Sequence, residues 1–173
     1  MGKKWFWIAG LVLAVAVAGL AGCGSPATEK SNFNMIFRYG VMARNELDTF
    51  QGIYTKDMIA DPSITVPLSL TEEELDSIYR KMVEIGFFSY PDEFSVSVAP
   101  GESIGMVTPH MSYYFKVEYD SQTKELWWDE EIVEIGYEDE KAGNLRSLIE
   151  LIRSIIGSKE EYRQLPEPGG GYM

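Results

Sequence analysis

The chain has 173 residues, 45% of them hydrophobic and 24% charged, with 27 acidic against 15 basic side chains, one histidine and one cysteine. A formal charge of −12 argues against nucleic acid as a partner, since phosphates demand a basic surface, and against electrostatic adhesion to anionic lipid. With Cys23 the only cysteine, an internal disulfide and a Cys/His metal set are both excluded, and stability must come from packing.

Residues 1–22 begin Met-Gly-Lys-Lys and continue as "WFWIAGLVLAVAVAGLAG", a basic start followed by an apolar run that ends in small residues, which is the pattern of a secretion signal. The run closes on Leu20-Ala21-Gly22-Cys23. That ending resembles the lipobox of bacterial lipoprotein signal peptides, whose cysteine receives a diacylglycerol before cleavage. The resemblance implies lipidation of Cys23, attachment to the membrane through that lipid, and a location on the extracytoplasmic face of the cell membrane. An uncleaved membrane helix is the alternative, because about 18 apolar residues just span a bilayer; the short apolar region and its small-residue exit favour the signal. Lys3-Lys4 is not a twin-arginine pair, so the general export route is expected. Residues 23–31 then form the lipidated cysteine and a polar tether, "GSPATEKS". Residues 32–173 suffice for a single domain.

In "NFNMIFRYGVM" the residues Phe33, Met35, Phe37, Tyr39 and Val41 alternate with Asn34, Arg38 and Gly40, the period of a strand with one buried face. Asn45 to Asp48 read as a turn and 49–58 as the returning strand, with Gly52 marking a bulge or a close backbone approach. A third extended run, 63–70, contains Pro67, which cannot donate to a ladder and places the run at a sheet edge.

Thr71-Glu72-Glu73-Glu74 predicts a capping box with Thr71 at N-cap and Glu74 at N3, and Leu70 and Leu75 are spaced for the hydrophobic staple. Leu75, Ile78, Tyr79, Met82 and Ile85 give the helix its apolar stripe, and Gly86 ends it. The three glutamates complement the helix dipole and need no metal or catalytic role.

The stretch 95–110, punctuated by Pro and Gly, has no helical period and is expected to be a loop. A hairpin follows. Tyr113, Phe115, Val117 and Tyr119 alternate with Tyr114, Lys116 and Glu118, and a four-residue loop Asp120–Thr123 would set Val117 against Leu126 and Phe115 against Trp128. That register leaves Tyr114, Lys116 and Trp127 on the outer face, with Glu118 opposite Glu125 and the Lys116 cation near the Trp127 indole.

Leu145, Leu148, Ile149, Ile152, Ile155 and Ile156 form one stripe of a final helix, expected to stop at Gly157, and Ser158 to Glu161 offers a second capping box. The fold class expected is α+β, an antiparallel sheet with two amphipathic helices packed on one face.

Two motifs invite a chemical reading. Gly101-Glu102-Ser103-Ile104-Gly105 fits the G-x-S-x-G pattern, and His110 follows, so a serine hydrolase using Ser103 and His110 is the alternative function. The pattern needs a strand-turn-helix elbow and an acid between serine and histidine, and the sequence supplies neither, so no catalytic residue is assigned. The carboxylate-rich stretches "DEEIVE" and "YEDEK" lack calcium-loop or zinc spacing and read as a solvated face without metal or cofactor. Trp127 and Tyr114, exposed among polar groups, suit an envelope protein, a peptide or a glycan as ligand.

Together with the lipobox, "TFQGIYTKDM", "LTEEELDSIYRKMVEIGFFSYP", "YYFKVEYDSQTKELWW" and "EYRQLPE" resemble segments of small uncharacterised lipoproteins of Gram-positive bacteria. The resemblance implies a lipid-anchored domain and supplies no catalytic residues. The function expected is a non-enzymatic binding or interaction module at the cell envelope.

Overall fold

The computed structural model describes residues 32–98, 100–135 and 138–172; the expected signal, the expected lipobox with Cys23 and the expected tether lie outside them. Four strands open the domain as a meander: β1 (Asn34–Val41), β2 (Asn45–Asp48), β3 (Ile53–Met58) and β4 (Asp61–Pro67). Helix α1 (Glu72–Glu84), a 3₁₀ turn at Phe87–Ser89 and the short β5 (Glu93–Phe94) follow. The chain then forms a long hairpin of β6 (Ser103–Tyr119) and β7 (Gln122–Ile135), and ends in α2 (Glu140–Ser158) and α3 (Glu160–Arg163). All seven strands join one sheet in the order β4-β3-β2-β1-β6-β7-β5. Every pairing is antiparallel except that of β5 with β7. The class is the α+β arrangement that the sequence predicts.

Strand alternation decides which face is buried. Met35, Phe37 and Tyr39 of β1, Phe115 and Val117 of β6, and Leu126 and Trp128 of β7 point the same way. They form one core with Ile78 and Met82 of α1 and with Leu145, Leu148, Ile149, Ile152 and Ile156 of α2. The two helices also touch one another, so both lie on this face. The opposite face is left without a helix among the described residues.

The capping box of α1 forms as expected: the Thr71 hydroxyl accepts from the Glu74 N–H at 3.2 Å, and the Glu74 carboxylate accepts from the Thr71 N–H at 2.8 Å. Leu70 and Leu75 both pack against the core, and Gly86 takes the left-handed φ of 69° just past the C-cap Ile85. Pro67 ends the edge strand β4, where its missing N–H is harmless.

Six expectations are corrected. Asn45–Asp48 is a strand rather than a turn; the chain reverses before it, where Met42 and Ala43 both adopt positive φ, a conformation their side chains do not advertise. Residues 49–52 are a second turn, held by Asp48, whose carboxylate accepts from the N–H groups of Phe50 and Gln51. The returning strand therefore starts only at Ile53. Gly52 does mark a close approach, because a Cβ there would lie 2.8 Å from the Ser69 hydroxyl. The expected loop 95–110 becomes strand from Ser103 onward. The hairpin turns on two residues rather than four: Asp120 and Ser121 both have positive φ, the conformation whose twist matches the flanking strands. Finally, α2 runs through Gly157 to Ser158, and α3 starts from Lys159 with no side-chain cap.

Candidate functional site

The two-residue turn shifts the hairpin by two residues from the expected register, so Tyr119 faces Gln122, Phe115 faces Leu126, Tyr113 faces Trp128 and Tyr114 faces Trp127. A shift of two preserves the faces. Trp128 is fully buried, and Trp127 remains 37% exposed on the side without helices. Continuous pairings carry one row of side chains across that face, Glu46, Arg38, Tyr114, Trp127 and Glu93. Within it the Tyr114 and Trp127 rings lie 6.1 Å apart at 46°. The Arg38 guanidinium sits 5.5 Å over the Tyr114 ring while pairing with Glu46 at 2.5 Å.

Lys116 is on the same face but not where the expected register puts it. It stands opposite Glu125, and its ammonium lies 3.8 Å from Glu118. The cation over an aromatic ring on this face is Arg38 on Tyr114, not Lys116 on Trp127. The like-charge pair of Glu118 with Glu125 is also absent, because Glu118 faces Thr123.

Trp127 is held in place. Its indole N–H donates to Asp129 at 2.8 Å, and its backbone N–H donates to Asp92 at 2.7 Å, where β5 joins the sheet. An open groove of about 580 Å³ runs past it, lined by Asp92, Glu93, Tyr114, Lys124, Glu125 and Trp127. Lys124 closes one side, donating to Asp92 at 2.5 Å and to the Tyr90 carbonyl at 2.7 Å. Partial burial, then the hydrogen bond and charge of Glu125, raise the Tyr114 pKa against the opposing Arg38; its hydroxyl stays neutral at physiological pH. Two rings, one of them a phenol, and a rim of carboxylates can hold a sugar face, or an apolar group with donors around it. They contain no nucleophile paired with a base.

Ser103 and His110 are not brought together. Ser103 pairs with Ile135 at the far end of the hairpin, and Met111, next to His110, pairs with Glu130. Five partner-strand residues at about 3.4 Å each separate the two positions by about 17 Å. Ser103 stands in an antiparallel strand with no helix after it, so no elbow exists there. His110 lies 3.7 Å from Asp129, and that carboxylate accepts directly from the Ser112 hydroxyl at 2.5 Å. The serine is bonded straight to the acid with no imidazole between, which is not the order of a Ser-His-acid triad. Among the described residues no group of three or more His, Cys, Asp or Glu side chains converges to hold a metal ion, and no helix is long and apolar enough to cross a membrane.

A second polar cluster escapes sequence reasoning. On the helix side, Tyr39 and Tyr54 share a hydroxyl hydrogen bond of 2.6 Å, the Tyr113 hydroxyl donates to Glu130 at 3.0 Å, and Arg146 donates to the same carboxylate at 2.7 Å. Burial raises the pKa of all three tyrosines. Their strand positions read only as apolar alternation. The available signal was the hydroxyl itself, which must find a partner when buried.

No protein-family model matches the chain, and no curated protein matches it. What the geometry defines is therefore a class: an α+β domain with one sheet face covered by helices and the other open, carrying a paired tyrosine and tryptophan above a shallow polar groove.

Proposed function

We propose that the protein is a lipid-anchored extracytoplasmic lipoprotein, tethered through Cys23, whose domain acts as a non-enzymatic binding or interaction module at the cell envelope. One observation carries the binding reading: Trp127 and Tyr114 are presented on the face without helices, fixed by Asp129 and the β5 backbone and flanked by a groove of about 580 Å³. A pre-oriented aromatic pair of this kind contributes contact area at low entropic cost. The anchor rests on the Leu20-Ala21-Gly22-Cys23 lipobox and the polar tether after it. The ligand class is an envelope protein, peptide or glycan, bound by stacking and hydrogen bonds. Titrating the full chain, held in nanodiscs of zwitterionic lipid, with glycan and peptide fragments of the cell wall tests this through tryptophan emission. A saturable change that Trp127→Phe removes supports the reading; emission unmoved by every fragment, or moved equally in the variant, contradicts it.

A further inference from the structure

The hairpin outruns the sheet that carries it. β1 accompanies β6 only as far as Met111, and β5 touches β7 only at Trp127 and Trp128. Beyond those points Ser103–Met106 and Ile132–Ile135 pair only with each other among the described residues, forming a two-stranded arm with both outer edges unpaired. Pro109 lies in the register shift between Met106 and Met111, where a missing N–H interrupts the ladder.

Isolated edges are ordinarily protected by charges or prolines. This arm instead exposes Ile104 (41%), Met106 (75%), Val133 (46%) and Ile135 (55%), and Val107 and Met111 at its base are exposed as well. These are six of the eleven large apolar side chains exposed among the described residues. The cross-strand pairs put Ile104 and Met106 on one face of the arm and Val133 and Ile135 on the other, so the arm exposes apolar side chains on both faces, a concentration of the kind that marks an interaction site. At its base a groove of about 500 Å³ has Val107, Met111 and Val133 as apolar walls and Glu130, Glu138 and Arg146 at its polar end. Arg146 is committed to Glu130 at 2.7 Å, with Glu138 3.9 Å away. Glu102 and Glu131 are exposed beside the arm strands.

The charge selects the occupant. A second copy would set the same glutamates against themselves in a chain of net charge −12, and anionic lipid would be repelled in the same way. We infer that the arm docks an extended segment of a partner protein that is both apolar and basic. The segment adds as a strand to an open edge. It runs along Ser103–Met106 with its aliphatic side chains on the face of Ile104 and Met106, and its lysines or arginines project on the opposite face, the side of Glu131. This inference stands apart from the lipid anchor and from the Trp127 face.

The probe is a peptide of alternating valine and lysine, offered to the full chain in zwitterionic nanodiscs at physiological ionic strength and followed by fluorescence anisotropy. Two control peptides alternate serine with lysine and valine with glutamate. The valine-lysine peptide should bind best, and the variant Ile104→Thr/Met106→Thr, which keeps charge and strand geometry, should bind it about tenfold more weakly, the scale of losing an aliphatic contact. N-methylation of alternate peptide bonds in the probe should abolish binding without touching the protein's fold. Equal affinity of wild type and variant, equal affinity for the serine-lysine peptide, or undiminished binding of the methylated probe overturns the proposal. So does a dimer, or anionic-vesicle binding, that the same double variant abolishes, because the occupant would then be a second copy or lipid.

Discussion

Trp127 and Trp128 are adjacent in the chain and lie in opposite environments. The Trp128 indole is fully buried between Phe94 and Tyr113, each 5.4 Å away by ring centroid, with the Arg146 guanidinium 5.5 Å above it. The Trp127 indole stands on the open face beside Tyr114. Trp128→Ala should therefore cost about 3–5 kcal/mol as a core truncation, and Trp127→Ala about 1 kcal/mol or less as a surface change. Thermal denaturation of the two variants checks this, and the reverse ranking would mean that the faces are inverted.

The buried tyrosines predict alkaline sensitivity. Burial is the leading cause that raises the pKa of Tyr39, Tyr54 and Tyr113 above the ordinary value of 10.0. In the unfolded chain they ionise near that ordinary value, while in the folded chain they hold their protons to higher pH. The folded state then binds more protons above about pH 10, so stability is fully present below that pH and declines above it, by up to about 1.4 kcal/mol per pH unit for each tyrosine. The melting temperature should fall steeply beyond about pH 10, and less steeply in Tyr113→Phe. A flat profile through that range would contradict the burial of these hydroxyls.

The separation of Ser103 from His110 along the arm leaves Ser103 without an imidazole base beside it. A fluorophosphonate probe should leave the full chain unlabelled, because a serine without a neighbouring base is not acylated at a useful rate. Stoichiometric labelling that Ser103→Ala removes would establish the hydrolase alternative.

Much of the fold is legible where local signals agree. Thr71 and Glu74 cap α1 as a box, Phe33 to Tyr39 alternate into a strand with a buried face, and the stripe from Leu145 to Ile156 enters the core. The candidate face was legible too, because a strand must send Trp127 and Trp128 to opposite sides, and an even-numbered error in register does not exchange them. What was not legible is turn conformation. Met42, Ala43, Asp120 and Ser121 all sit at positive φ without a glycine, so β2 read as a turn and the hairpin loop read as too long. The longer loop consequently matches Lys116 to Trp127, and the Arg38 contact with Tyr114 has no local signal, since it depends on the pairing of β1 with β6. The arm was hidden by Gly105 and Pro109, whose punctuation mimics a loop, although an antiparallel partner holds Ser103 to Met106 extended.

The proposed lipidation of Cys23 is tested at one sulfur atom. Metabolic labelling of expressing cells with an alkyne fatty acid, followed by capture of the full chain, reads lipidation at Cys23 directly. The prediction is a labelled, membrane-associated wild type and a Cys23→Ala variant that carries no label and is retained as the unprocessed precursor or released. Undiminished label on the variant, or an unlabelled wild type, would contradict the lipoprotein reading.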